Sequence, residues 1–365
     1  MAKQKSINEI AVASLKLTIE KRTTIPILSF VNVVAVENGK HLAVATDLDA
    51  WAFAPVENLK PGIHQIVGNE LCPVDMEVKN FPDWKPAFDD AYKVTGFAKA
   101  TWNEIDRVFR CISREESRYT LNGALFETRD NTTYLVSTDG HRLSLNTLKH
   151  GGATKGRVMV VRRALDIAKK LLPKDGVLTI DLYKKDDDAQ TQASFSIGDV
   201  RFTFRGMSGQ FPNYEAVVSK TIKHQWRVNR MDLLGAVKTL LPFIKGEPNQ
   251  SVKLDRKTNT LALTVKSDLH TKTVEIPATF VDLHVNVPRR DVSIVMPMRL
   301  DTKLPLSTEF VGLNLTYLKD FAESMTSSGT LVLGLTDNNN ALTVAASFFT
   351  EEAPEDVKGE EQAAA

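Results

Sequence analysis

Leu135-Val-Ser-Thr-Asp139 is the stretch on which the reading of this chain turns, because it occurs more than once. The same strand-like run closing on Ser/Thr-Asp stands at Leu42-Ala-Val-Ala-Thr-Asp47 and at Leu263-Thr-Val-Lys-Ser-Asp268. A helix-like segment and an extended apolar run precede each copy, the apolar runs being Ile27 to Val34, Tyr119 to Phe126 and Ser251 to Leu254. A second tag, Phe-Pro-(Asp/Asn)-(Trp/Tyr), appears at Phe81 to Trp84 and at Phe211 to Tyr214. Copies about a hundred residues apart describe duplicated domains rather than a solenoid, whose period is roughly 20–50 residues. With no catalytic cluster shared among the copies, shape is expected to carry the function.

Bulk properties set the frame. A chain of 365 residues is too long for one ordinary core and suits two or three domains. Its hydrophobic content of 42% and charged content of 25% are ordinary for a globular protein. Cys72 and Cys111 cannot build a disulfide framework and read as reduced, partly buried thiols. The N-terminal residues lead into no apolar signal core and no run reaches membrane-span length, so a cytoplasmic protein without a membrane partner is expected. A net charge of +1 argues neither for nor against nucleic acid, since balance can hide segregation.

Three domains are expected at 1–90, 91–220 and 221–349, followed by an acidic tail at 350–365 that carries six carboxylates against Lys358 and reads as disordered and solubilising. The middle domain is the most legible. Thr101 to Ser117 predicts a helix with Trp102, Ile105, Val108, Phe109 and Ile112 on one face. A second helix is predicted over Arg163 to Leu172, ending before Pro173 and the Lys-Asp-Gly turn. Strands are predicted between and after the helices, and the third domain repeats the order with helices at Arg230 to Leu241 and Leu315 to Met325. The mixture predicts an α+β fold with antiparallel sheets and the helices on one face. From Asp47 to Phe81 the first domain is about 38 residues shorter than the matching interval from Asp139 to Phe211. That is enough to remove a helix and two or three strands, so the first domain is expected to be a partial copy.

Arg107, Arg110 and Arg114 recur on the first helix on the face opposite its apolar stripe. Arg162, Arg163, Lys169 and Lys170 likewise avoid the Leu165, Ala168 and Leu172 face of the second. Either these are plain solvated faces, or they are cationic surfaces suited to phosphate contact without base readout. The segment Ser137-Thr-Asp-Gly-His-Arg142 offers a hydroxyl, a carboxylate and an imidazole, but neighbours in a strand-to-turn segment point apart and form no relay. A turn, with Asp139 capping its own backbone and Gly140 at positive φ, is the simpler reading. No phosphate loop, nucleophile elbow or paired-histidine metal motif occurs, so neither an enzyme nor a cofactor or metal site is expected.

Arg118-Tyr-Thr-Leu-Asn-Gly-Ala-Leu-Phe-Glu127, Val136-Ser-Thr-Asp-Gly-His-Arg-Leu143 and Phe211-Pro-Asn-Tyr214 resemble, in order and spacing, the bacterial sliding clamp, the β subunit of DNA polymerase III. The resemblance is fainter at Asn314-Leu-Thr-Tyr317, Arg22 to Leu28 and Ala45 to Leu48. It implies three similar domains, antiparallel sheets outside with helices lining a channel, and a head-to-tail homodimeric ring around double-stranded DNA. It further implies that Arg22 and Tyr119 contact DNA, that Arg162 and Arg163 face the channel, and that a pocket binds short peptide motifs of the DNA polymerase and the clamp loader. The matching pocket positions are Leu121, Thr138, Gly140, His141, Arg142, Leu143, Pro212, Val217, Asn314 and Tyr317. For Leu121, Leu143 and Val217, core packing is the competing reading. Asn249 and Ala216 stand where the family commonly has an aromatic residue and an arginine. Val295-Met-Pro-Met-Arg-Leu300 resembles the family's usual C-terminal end, yet it precedes the last predicted helix. Either an inserted segment at about Asp282 to Leu304 supplies the strand and pocket wall, with Met296, Pro297 and Met298 in the pocket, or it is a coincidental edge strand and loop. The function implied is a DNA sliding clamp without catalysis. The competing reading is a clamp-derived accessory or decoy that binds the peptides without closing a ring.

Overall fold

The computed structural model describes residues 7–19, 23–36, 39–83, 92–129, 131–150, 155–185, 191–218, 221–247, 250–267, 270–286, 292–295, 310–326, 329–335 and 342–345. Arg22, Trp84, Asn249, Asp268, Met296, Pro297, Met298 and the acidic tail fall outside them. The chain divides into two compact units, 1–105 with 123–134 and 148–210, and 106–122 with 135–147 and 211–365.

The first unit starts with α1 (Ile7–Leu15), β1 (Val31–Ala35), β2 (His41–Thr46), β3 (Ala50–Val56), β4 (Gly62–Val67) and β5 (Glu70–Pro73). It continues with β6 (Tyr92–Thr101), the start of α2 (Trp102–Cys111), β7 (Gly123–Arg129), the start of β8 (Thr132–Thr138) and the end of β9 (Arg142–His150). It closes with β10 (Gly156–Val161), α3 (Arg162–Leu171), β11 (Val177–Lys185), β12 (Thr191–Ile197) and β13 (Val200–Arg205). Antiparallel pairing runs through β5, β4, β1, β2, β3, β13, β12, β11, β6 and the end of β9. Phe126, Phe195, Phe202 and Phe204 are buried in mutual ring contact, each worth roughly 2–3 kcal/mol of apolar burial. After β4 the chain turns at once through Gly68, φ +58°, into β5. The corresponding strands β10 and, in the second unit, β19 (Phe310–Asn314) lead instead into helices. Among the described residues between β3 and β6 there is no α-helix.

The second unit adds β14 (Thr221–Asn229), α4 (Arg230–Leu240), β15 (Ser251–Arg256), β16 (Thr260–Lys266), β17 (Thr271–Asn286) and β18 (Val292–Val295). After β19 come α5 (Leu315–Ser324), β20 (Thr330–Leu335) and β21 (Leu342–Ala345). One antiparallel run joins β9, β18, β21, β20, β14 and β17; the first half of β17 pairs with β16, which leads on through β15 to β19. The core beneath gathers Trp226, Leu233, Val237 and Leu240 with Leu318, Phe321 and Cys111. Asn229 caps α4 by accepting from the Met231 and Asp232 amides, as Asn314 caps α5 by accepting from Thr316 and Tyr317.

The α+β expectation holds, with antiparallel pairing in both units. Helix α2 is shorter than its sequence suggests. Thr101 and Glu104 cap its start, the amide and hydroxyl of Thr101 both donating to Glu104 Oε2. The Ser113 amide then donates to Leu121 O, and the Ser113 hydroxyl accepts from the Glu115 amide, which ends the helix ahead of the polar run 114–118.

Candidate functional site

The segment Thr138 to Arg142 folds as a self-contained turn. The Thr138 hydroxyl donates to Arg142 O at 2.7 Å and accepts from the Gly140 amide at 3.0 Å. One Asp139 oxygen accepts from the His141 and Arg142 amides, both at 3.0 Å. Gly140 sits at φ +91°, and a Cβ there would lie 2.7 Å from the Arg118 guanidinium. That guanidinium in turn donates to Asp139 O. The side chains of this segment are thus aimed by main-chain geometry, and no relay of Asp139 with His141 forms.

Arg142 is the centre of the site. Its guanidinium donates to Asp139 Oδ2 (2.9 Å), Asp320 Oδ2 (2.7 Å) and Arg110 O (2.6 Å), and its Cζ lies 4.3 Å from the Tyr317 ring centroid. Asp320 also accepts from Arg110, which further reaches Asp106 and Glu323. Burial alone would lower the pKa values of Arg110 and Arg142. The surrounding groups, chiefly Asp106 and Glu323 for Arg110 and Cys111 and Asp320 for Arg142, outweigh it and hold both above the ordinary arginine value. Beneath this network the buried Cys111 thiol is pushed up to about 12, mainly by desolvation, while Arg142 pulls the other way. Burial and then Asp139 raise the Tyr317 phenol.

The structure sorts the remaining pocket candidates by exposure. Gly140, His141, Pro212 and Val217 are exposed, while Thr138, Asn314 and Tyr317 are half-buried. Leu121 and Leu143 are buried, at 8% and 4% exposed. The Asn314 amide oxygen is occupied as the α5 cap. Sequence reading missed Asp106, Arg118, Asp320 and Glu323 here. The signal for Asp320 and Glu323 was an acidic pair on α5 where α3 is basic.

The cationic face needs correction. Arg107 does not face solvent: it is 6% exposed and donates to Asn146 Oδ1 at 2.7 Å. Arg110 is taken up by Asp106, Asp320 and Glu323. The side of α2 opposite its apolar stripe is therefore packed too, against β9 and α5, and only Arg114, beyond the end of the helix, is exposed. Tyr119 is 55% exposed. On α3, Arg163 bonds the carboxylate of Asp47 and the carbonyl oxygens of Leu17 and Thr18. Lys169 lies over the Trp102 ring and Lys170 pairs with Asp166 at 2.6 Å, while Arg162 is half-buried.

Repeated strand-helix-strand units on antiparallel sheets, with a structured polar turn in each of two units, define an α+β fold built on a duplicated unit. Residues 98–213 match the family described as the DNA polymerase III beta subunit, central domain. The chain is 25% identical over 251 residues to the beta sliding clamp of Haemophilus influenzae, covering 66% of this chain and 62% of that protein. It is 29% identical over 239 residues to the one from Pseudomonas putida, covering 55% and 63%. The matched stretches thus span slightly under two thirds of these relatives. Among solved structures, DNA polymerase III beta subunit from Thermotoga maritima superposes with a TM-score of 0.68 at 16% identity, over 94% of this chain and 97% of that one. The Pseudomonas aeruginosa sliding clamp bound to griselimycin gives 0.68 at 18%, over 94% and 98%. The chain is thus similar to the bacterial beta sliding clamps, in sequence over its central part and in fold over most of its length.

Proposed function

We propose that this chain is a DNA sliding clamp, a processivity factor that encircles duplex DNA as a head-to-tail homodimer and tethers a polymerase, with no catalysis of its own. The match of residues 98–213 to the clamp central domain carries the reading. A closed ring holds DNA by linkage, so its contacts need only be weak and directed at phosphates. Arg114, Tyr119 and Lys170 are exposed, the last with a surface pair to Asp166, and suit that role best. Arg107 and Arg110, packed against Asn146 and against Asp106, Asp320 and Glu323, suit it less, as does Arg163, which is held by Asp47. His141, Pro212, Val217 and Tyr317, around the rigid Arg142, form the surface on which Leu/Phe anchors of a polymerase or clamp-loader peptide dock. Tethering then keeps the polymerase at high local concentration near the primer end.

The lack of an α-helix among the described residues between β3 and β6 favours a second reading, an accessory or decoy that binds the same peptides without closing a ring. Light scattering across a concentration series, with retention on nicked circular DNA before and after linearisation, separates the two. A dimer loaded by a compatible clamp loader stays on circles and runs off linear DNA. A monomer at every concentration, with no difference between the two DNAs, overturns the clamp reading in favour of the accessory protein.

A further inference from the structure

Strand β18 is out of place in the chain but not in the sheet. The connections from β3 to β4 and from β9 to β10 each take five residues, 57–61 and 151–155. The corresponding connection from β17 to β19 takes twenty-three, 287–309, and β18 lies inside it. It pairs antiparallel with β21 on one side and β9 on the other. In the first unit the same slot, between β12 and β3, is held by β13, which simply follows β12 across the turn at Gly198.

The registers agree residue by residue. The fifth residue after Asp47, Ala52, faces Phe202, which leads across the sheet to Phe195, Ile180 and Ala98, four residues before α2. The fifth residue after Asp139, Ser144, faces Ser293, which leads across to Val344, Leu333 and Trp226, four residues before α4. A one-residue slip would put every side chain on the wrong face, so agreement across five strands is not expected of an accidental edge strand.

We infer that β18 is the closing strand of the third domain, carried in the β17–β19 connection and folded back into the position that a strand following β21 would fill. The cleft between β9 and β21 is thus a strand-acceptor site whose ligand is this chain's own segment around Val292–Val295. Among the described residues the sheet closes without a strand after β21, and the strand abutting Arg142 and Leu143 is tethered at both ends. The strand assignment stands on pairing alone; its bearing on peptide docking rests on the clamp reading.

Three variants of the full chain test it. The first deletes 287–304, leaving 305–309 as a five-residue connection of the length used twice elsewhere. The second makes that deletion and grafts 287–304 after residue 349 through a flexible linker. The third removes only 350–365. Amide hydrogen exchange at Arg142–Leu145 and Leu342–Ala345 is read together with the melting temperature. The deletion is expected to lose protection at both stretches and melt at lower temperature, the graft to restore both, and the tail truncation to change neither. Full protection in the deletion variant, or a graft that restores nothing, overturns the inference. If the graft regains protection while neither it nor the parent binds a Leu/Phe-anchored peptide, the docking reading falls and the strand assignment stands.

Discussion

The turns at Asp47 and Asp139 share a skeleton and differ in what they hold. In each, a threonine hydroxyl donates to the carbonyl four residues on and accepts an amide two residues on. In each, one aspartate oxygen accepts the amides two and three residues ahead. The residue after the aspartate takes positive φ in both, +80° at Leu48 and +91° at Gly140. The difference lies three residues past the aspartate. Ala50 cannot reach the free carboxylate oxygen of Asp47, so α3 supplies the cation through Arg163. Arg142 reaches Asp139 itself, and α5 supplies the acid, Asp320, and the ring, Tyr317. The polarity of the helix-to-turn contact is inverted between the two junctions. The main-chain geometry is the same, and a single residue position decides whether the turn's aspartate is paired from a neighbouring helix or by an arginine of its own turn.

Removing Arg142 attacks the second junction hardest. Its side chain is 11% exposed, and Asp139 and Asp320, at 16% and 19%, are left facing each other without their shared counter-charge. Arg142→Ala is expected to cost about 3 kcal/mol in denaturant unfolding. Arg142→Lys rescues little, because three acceptors in different directions need the planar fork. A loss below about 1 kcal/mol would mean that the network merely decorates the junction.

At the first junction, Asp47→Ala removes two amide acceptors as well as the ion pair and is expected to cost about 2 kcal/mol. Arg163→Ala should cost about 1–2 kcal/mol: its guanidinium is 45% exposed, but the Asp47 carboxylate, 3% exposed, keeps only its two amide donors. The same variants sharpen the DNA reading. Arg114→Ala and Lys170→Ala should each reduce the salt slope of DNA retention by about one, while Arg163→Ala leaves it nearly unchanged. A full unit lost with Arg163→Ala would show that its ion pair opens on DNA.

The repeats, the α+β class and four of the helices were legible because they rest on periodicity and turn chemistry, which are local. The arginine network was not. Arg107, Arg110 and Arg114 stand on the polar side of a helical wheel, and a wheel cannot say that β9 and α5 cover that side. Asp320 and Glu323 carry no local pattern that reveals their role, because their partners lie more than 170 residues away in sequence. The position of β18 was half legible. The Val-Met-Pro-Met-Arg-Leu segment flagged it, but only the pairing of Val292–Val295 with two strands separates a closing strand from a stray edge.

The smallest effects test the comparison most directly, because the equivalence of the turns requires opposite signs. Leu48 holds a left-handed backbone that costs a branched L-residue roughly 1 kcal/mol, while glycine adopts it without strain. Leu48→Gly is therefore expected to stabilise by about 0.5 kcal/mol once the added freedom of the unfolded chain is subtracted. Gly140→Ala meets the same backbone strain and pushes its Cβ toward the Arg118 guanidinium, so it should destabilise by about 1–2 kcal/mol. Arg118 is flexible enough to yield, and Gly140→Ala in an Arg118→Ala background isolates the backbone part. That residue should match the strain released at Leu48 to within a few tenths of a kcal/mol. If Leu48→Gly destabilises instead, the side chain, 46% exposed, is held by contacts that outweigh its strain, and the two turns are alike in hydrogen bonding only.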